Sequence, residues 1–594
     1  MTVVDRSLAL ARRFAELDPA ARRALGAKLK AQGMSLESLP IPPRADGQAA
    51  VAASYAQRRL WTLWQLDRSS AAYNQAGVLR LDGGLDVAAL QAAVDALVAR
   101  HEILRTRFAE TDGQLTQVVS PAAGLALAQL DLSASADPQA ALEAALQAAA
   151  GQAFDLYQGP LLQVTLVRLG EQRHGLLLAM HHIISDGWSM QILLDELAQG
   201  YAAHLQGQAP QWPALAVQYA DYALWQRNWL EAGEGERQLA YWRATLGERP
   251  PILELPADRA RPAEMSQHGA SLGFELPAAL TVQLKALAAA SGTSLFMVLL
   301  AAFKALLHRY TGQEELLVGV PVANRQRPEV QGLIGFFVNT QVLRSTPHAR
   351  LPFRTLLGEV RQAAAAAQDC QDLPFEELVD ALGVERSLSR NPLFQVMFNH
   401  EQRGATTLAG LPGLQAWLEV AAPEVAKFDL SLDTEELADG MLRGAFTYAT
   451  DLFDAPRIER LRGHFLRLLG DCAERPDSPL GDLAMLDRHE RQQVVEAFNA
   501  SAVDYGQAQC LQVVIEAQAG ATPQATALIA DGVELSYAAL NAQANRLAHY
   551  LRSRGAGPEQ LVGIFAERSQ AMVVALFGRA QGRRRLRAAG PGPA

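Results

Sequence analysis

The sequence predicts a large mixed α/β protein with two lobes of similar make-up and a shorter region after them. Three observations predict it. The chain has 594 residues, several times the ~100–200 of an ordinary domain. Segments with helical periodicity alternate with short apolar runs of strand length. A tryptophan-rich stretch (Trp212, Trp225, Trp229, Trp242) leads into the proline-containing LPADRARP (Leu255 to Pro262) and separates two regions of the same mixed pattern. No sequence repeat relating the two is visible by eye.

Residues 7–33 carry alternating charge at helical spacing and run into PIPPR (Pro40 to Arg44), so 1–45 read as a helical leader and linker. The leader is read as helical surface, with a docking element as the less common alternative. In the first lobe, 46–230, LDVAALQAAVDALVARH is an amphipathic helix opened by Asp86 as N-cap. GLLLAM (Gly175 to Met180) is a buried strand. HHIISDG follows it, and then a helix with Ile192, Leu193, Leu197 and Tyr201 on one face. In the second lobe, 231–490, SGTSLFMVLLAAFKALLHRYTG is a long helix and ELLVGVPVA a strand. A further stretch begins near residue 505. The tail has four arginines between Arg583 and Arg587 and reads as disordered.

The hydrophobic fraction is 49% and the charged fraction 20%, which suits a folded protein and excludes broad disorder. The net charge is −10, with no basic face before the last residues, so nucleic acid is not expected as a partner. Cys370, Cys472 and Cys510 lie far apart, with neither a disulfide framework nor metal-ligand spacing, and a reducing compartment fits them. The N-terminus lacks the pattern of a signal peptide. The longest apolar runs, such as LFMVLLAAF (Leu295 to Phe303), fall far short of the ~20 residues of a membrane span. A soluble, cytoplasmic protein is expected, with no membrane partner.

Of twelve histidines only His181 and His182 are adjacent, and they stand where an apolar strand gives way to a helix. Adjacent residues at a strand end point to opposite sides, so one ring can face a cleft while the other packs. An imidazole titrating near ~6.5 can accept or share a proton near neutrality. Asp186 can orient a partner or pair with an arginine. Gly187 allows a tight turn and close approach of a substrate. No third ligand lies at suitable spacing, so no metal is expected. An isolated His-His pair is more often structural than catalytic, and the spacing by itself supports only an acid/base candidate.

The flanking segments add to this. SYAQRRLWTLWQL (Ser54 to Leu66), RHEILRTRF (Arg100 to Phe108), HHIISDG, YADYALWQ (Tyr219 to Gln226), VGVPVANR (Val318 to Arg325), IGFFVNTQ (Ile334 to Gln341), QDLPFEELV (Gln371 to Val379) and RNPLFQVMF (Arg390 to Phe398) occur in that order, with FDLSL (Phe428 to Leu432) after them. Together they resemble the motifs of condensation domains from nonribosomal peptide synthetases, over roughly residues 50–485. The opening segment is closer to the type that takes an L-configured donor.

The resemblance implies two chloramphenicol-acetyltransferase-like lobes in a V-shaped pseudo-dimer. It implies amide formation between an acyl or peptidyl thioester donor and an aminoacyl acceptor. Each would arrive on the phosphopantetheine arm of a carrier protein, with no cofactor of the domain's own. Donor and acceptor carrier proteins and other synthetase domains or subunits are the implied partners. His182 would face the tunnel as general base or positioning group. His181, Asp186 and Gly187 would support it, with the Gly187 N–H available to the oxyanion. Arg58, Arg105 and Arg325 are the candidate partners of Asp186. Asn339 and Trp188 are candidate tunnel or structural residues. Trp61, Tyr222, Trp225, Phe336 and Phe394 read as core before substrate contacts, and Pro374 and Phe375 as a turn and a core contact.

From about 505 to 578, LSYAALNAQANRLAHYLRSRG and VGIFAERSQAMVVALFG resemble the start of an adenylation domain. The phosphate loop that would follow is replaced by the arginine-rich stretch, so 579–594 read as an out-of-frame or disordered tail and the fragment is not expected to bind ATP. An epimerisation domain shares the His-His signature, but an adenylation start downstream favours condensation. A non-catalytic docking or gating module is the third reading.

Overall fold

The computed structural model describes residues 3–44, 50–385, 387–402, 410–420, 425–504, 509–557, 561–581 and 587–588. It divides into two compact units, Met1–His489 and Glu490–Ala594.

Among the described residues the first unit holds a small three-stranded sheet, Ala50–Ala52, Gln114–Val119 and Thr106–Thr111, and two larger ones, one in each lobe. In lobe one, Asn74–Gly83 pairs antiparallel with Arg173–His181, which pairs antiparallel with Leu162–Arg168, which pairs parallel with Ala128–Asp131. In lobe two, Gly269–Glu275 pairs antiparallel with Leu442–Ala449, which pairs antiparallel with Leu430–Glu436, which pairs parallel with Val396–Gln402. Order and directions are the same four deep. The first strand of each set also leads into a helix, Val87–Arg100 in one lobe and Ala278–Ala290 in the other. The two lobes are therefore one architecture used twice, as the two-lobe expectation required.

Each of the two larger sheets is covered by helices whose apolar sides form the core. Asp86 caps Val87–Arg100 by accepting from the Ala89 N–H at 2.9 Å, and Leu90, Val94 and Leu97 are buried beneath it. In lobe two the helix Leu295–Thr311 is buried at every position from Val298 to His308, so its run of apolar residues is a core helix. Among the described residues no single helix is long and apolar enough to cross a membrane. The core changes lobe between Leu230, packed in lobe one, and Trp242, packed in lobe two.

The boundaries differ from the sequence reading in three places. The leader is two helices, Val3–Glu16 and Pro19–Ala31, because Asp18 caps a fresh N-terminus with Pro19 at its first position. It is tied to lobe one: Arg22 pairs with Glu231 at 2.9 Å, and Arg44 pairs with Asp221 at 3.1 Å and with Glu102. Second, lobe one borrows from the chain of lobe two. Leu414–Val420 pairs along its full length with Asn74–Gly83 and widens that sheet to five strands, while Leu333, Ile334, Phe336 and Phe337 pack into the core of lobe one. Third, the helix Gln570–Gln581 runs past residue 578, and Arg587–Ala588 pairs parallel with Gly563–Ile564. The rest of the expected tail lies outside the described residues.

The second unit contains a hairpin, Thr526–Ala530 with Val533–Ser536. Its turn places Asp531 and Gly532 both at positive φ (52° and 75°), which is why Asp-Gly stands there. A small cluster of Leu535, Leu540 and Val574 is its buried core.

Candidate functional site

The strand Arg173–His181 ends on the first histidine, a single 3-10 turn covers His182–Ile184, and Asp186 caps the helix Gly187–Leu205. His181 is 3% exposed. Its Nδ1 accepts from the Ile183 N–H at 3.1 Å, and its ring meets Phe154 edge-on at 6.3 Å. Burial, helped by the positive charge of Lys427, pulls its pKa down to about 3. It is a neutral packed residue.

His182 is only half-buried. Its backbone N–H donates to the Tyr73 carbonyl at 2.8 Å, and its ring lies 5.8 Å from that of Phe336. Nδ1 sits 3.2 Å from the Ser185 carbonyl. A carbonyl can only accept, so the proton is assigned to Nδ1 and Nε2 carries a lone pair. Burial first, then the charge of Lys427, hold this imidazole well below its ordinary pKa.

Asp186 is the hub of the frame. Its Oδ1 accepts from the Ser189 N–H at 2.8 Å and the Ser189 hydroxyl at 2.7 Å, and its Oδ2 from the Phe337 N–H at 3.1 Å. Arg325 reaches both oxygens, at 2.9 and 3.2 Å. Each side chain of the pair is 1% exposed. The guanidinium also donates to the Val330 and Leu333 carbonyls and lies 4.0 Å over the Phe337 ring. Of the three candidate arginines, Arg325 is the partner. Arg58 is half-exposed, 4.0 Å from Glu377; Arg105 bonds the Ser120 carbonyl and lies 3.9 Å from Glu102.

Gly187 differs from the expectation of a tight turn. It is the first residue of an ordinary helix and is not among the positive-φ glycines. What it provides is space: an added Cβ would have only Glu401 Oε1 near it, at 3.9 Å. Trp188 is 49% exposed and donates from Nε1 to the Gln331 carbonyl at 3.1 Å. The Asn339 amide is fully used in clamping the QDLPF loop. It donates to the Gln371 and Leu373 carbonyls, both at 2.7 Å, and accepts from the Phe375 N–H at 3.1 Å.

The other motifs brace this frame. Ser54 caps Tyr55–Leu66 in a reciprocal box with Gln57, and Gln57 Nε2 donates onward to the Ile183 carbonyl at 3.3 Å. The Ser54 hydroxyl lies 2.9 Å from the Tyr219 hydroxyl, which donates to the Phe336 carbonyl at 2.6 Å. Gly335 must be glycine, because a Cβ there would lie 2.0 Å from the Tyr219 ring. Tyr222, Trp225, Phe336, Phe394 and Phe375 are buried, and Trp61 partly so. Tyr222 and Phe336 also line a cleft with Ser54, Arg59, Asn324 and Glu376.

Sequence reasoning missed Lys427, whose charge acts on His182. Lys427 lies 4.6 Å over the Tyr73 ring, and Arg59 pairs with Glu376 at 3.1 Å. The signal was available in part, since Lys427 immediately precedes FDLSL.

The family model described as Condensation domain matches residues 47–495, and that of AMP-binding enzyme matches 515–581. A linear gramicidin synthase from Brevibacillus parabrevis is 42% identical over 548 residues, covering 92% of this chain and 7% of its own length. Chondramide synthase cmdD of Chondromyces crocatus is 40% identical, covering 92% and 14%. The chain therefore spans only a small part of these relatives. Among solved structures, the X-domain from teicoplanin biosynthesis is 30% identical with a TM-score of 0.69, over 75% of this chain and 99% of that one. The first condensation domain of the CDA synthetase, at 24% identity and a TM-score of 0.64, covers 74% and 99% and shares the fold.

Proposed function

The chain belongs to the condensation-domain family of nonribosomal peptide synthetases, and on that premise we propose that it joins a carrier-bound acyl or peptidyl thioester to the amine of a carrier-bound aminoacyl group at His182. The carrying observation is the fixed tautomer of His182, whose Nδ1 is committed to Ser185, on a corner braced by the buried Asp186–Arg325 pair. Both substrates would come on phosphopantetheine arms, and the domain supplies no cofactor to the reaction. Neighbouring synthetase domains are the partners that present the carriers.

The low basicity of His182 favours positioning over outright proton abstraction. An amino acid ammonium titrates near ~8, so moving its proton to an imidazole that burial holds well below its ordinary range is uphill. Nε2 instead accepts a hydrogen bond from the neutral amine, and this aims the amine's lone pair at the thioester carbonyl. As negative charge builds on that oxygen, the Gly187 N–H, in the unpaired first turn of its helix, is the donor at hand. After the amine attacks, the thiolate of the donor arm leaves and the nitrogen sheds a proton to solvent or to His182.

A non-catalytic reading has one observation behind it: the X-domain it resembles has been solved in complex with OxyB. One experiment separates the two. Donor and acceptor carrier proteins loaded with several amino acids are mixed with the protein, and the acceptor is weighed by mass spectrometry. Amide product supports condensation; a folded protein yielding none with any donor overturns it.

A further inference from the structure

Tyr73 stands just ahead of the lobe-one strand Asn74–Gly83, and its carbonyl holds the backbone of His182 at 2.8 Å. Lys427 comes from lobe two, just before Leu430–Glu436. Its backbone is anchored where the Asn391 side chain donates to its carbonyl at 2.7 Å, and its ammonium lies 4.6 Å over the Tyr73 ring. The contact therefore bridges the lobes one residue from His182. Among the described residues no carboxylate forms an ion pair with this ammonium.

The charges around it are unevenly balanced. On the lobe-one side stand His181 and His182, both neutral, and Arg59. Arg59 is neutralised by Glu376, on the helix Phe375–Leu382. On the lobe-two side stand Asp433, which burial raises to about 6, and Glu401, which accepts from Asn399 at 3.2 Å. The Tyr73 phenol stays protonated, its pKa raised by burial. The Lys427 charge is the strongest influence on His182 after burial itself.

We propose that Lys427 is a positioning residue of the condensation site: its ammonium, laid on the Tyr73 ring across the join between the lobes, holds a positive charge beside His182 that turns away an ammonium and admits the acceptor as its free amine. This rests on the condensation reading above. A cation beside the reacting nitrogen makes protonating that nitrogen costlier, and the aromatic face keeps the lysine in place without neutralising it. The lysine's own pKa, brought down to about 8 by burial, leaves it charged through the acid range where the acceptor would otherwise be lost to protonation.

The test is the pH profile of amide formation between loaded carrier proteins, from pH 5.5 to 8.5, for the wild type, K427M and K427R. The wild-type acid limb is expected below the ~8 of a free amino acid amine. In K427M the limb moves up by about one pH unit, so that the rate at pH 6 falls about tenfold more than the rate at pH 8.5. K427R keeps the wild-type limb, and an acceptor bearing a hydroxylamine, which is less basic, restores K427M at low pH. A uniform loss at every pH in K427M, with the limb unmoved, overturns the proposal and leaves a merely structural contact. Should K427M not fold, a wild-type limb at or above the free amine's pKa overturns it equally. If the wild type makes no amide at any pH, the condensation reading fails first.

Discussion

In lobe one the strand Arg173–His181 is followed, five positions past its end, by Asp186 and the helix Gly187–Leu205. In lobe two the strand Leu442–Ala449 is followed, again five positions on, by Asp454 and the helix Ala455–Glu474. His181 thus corresponds to Ala449, His182 to Thr450 and Asp186 to Asp454. The two corners share a backbone plan and little else. Asp186 is 1% exposed and bound by Ser189, Phe337 and Arg325. Asp454 is 49% exposed, makes no side-chain cap bond, and pairs with an Arg259 that is 52% exposed. The strand-loop-helix corner is a scaffold available in both lobes. On the proposed reading it serves as a site only where the capping carboxylate is sealed under an arginine and an imidazole stands on the turn.

That contrast can be broken by substitution. The largest effect is expected at the imidazole: H182A should slow amide formation by ~100-fold or more, whereas T450A should leave the rate unchanged, both read from product mass against time. Equal losses would mean that the corners are not functionally distinct. Next comes the ion pair. R325A strands Asp186 as a buried unpaired charge and should cost ~3–5 kcal/mol in urea unfolding, while R259A, on a half-exposed pair screened by water, should cost ~1 kcal/mol or less.

The smallest expected effect is a pH dependence. His181 is held near 3 in the fold against ~6.5 in the unfolded chain. Its folded pKa is depressed, so the unfolded state takes up the proton first as pH falls. The stability it contributes is full above ~6.5 and is lost on the way down to 3. The stability difference between wild type and H181A should therefore shrink by about 2 kcal/mol from pH 7 to pH 5. Ala449 titrates nothing, so A449G should show no such slope.

The elements carried by local pattern were legible in the sequence. Asp86 announces its helix, GLLLAM its strand, and the tryptophan-rich stretch the change of lobe. The histidine pair was legible too, because strand, turn and helix follow one another in close succession. What remained hidden depends on contacts distant in sequence. Arg325 is 139 residues from Asp186, and nothing local to Arg58, Arg105 or Arg325 marks one of them as the buried partner. Lys427 is a single cation before a familiar string, and only the fold brings it over Tyr73. The doubled architecture left no repeat because strand order and direction were kept while the side chains diverged. Of the two expectations for Gly187, the open space is present, while the tight turn is not, because the residue opens the helix that Asp186 caps.

The strand Leu414–Val420 has a consequence for anyone who would recombine synthetases. It leaves lobe two, is zipped residue by residue onto Asn74–Gly83, and is pinned there by Glu419 on Arg80 at 2.9 Å. A crossover placed at the visible seam near residue 230 would graft a foreign edge strand onto lobe one, together with the Arg325 that must find Asp186. Hybrids cut there inherit mismatched halves of a single interlocked body, so parts are best exchanged as the whole of both lobes.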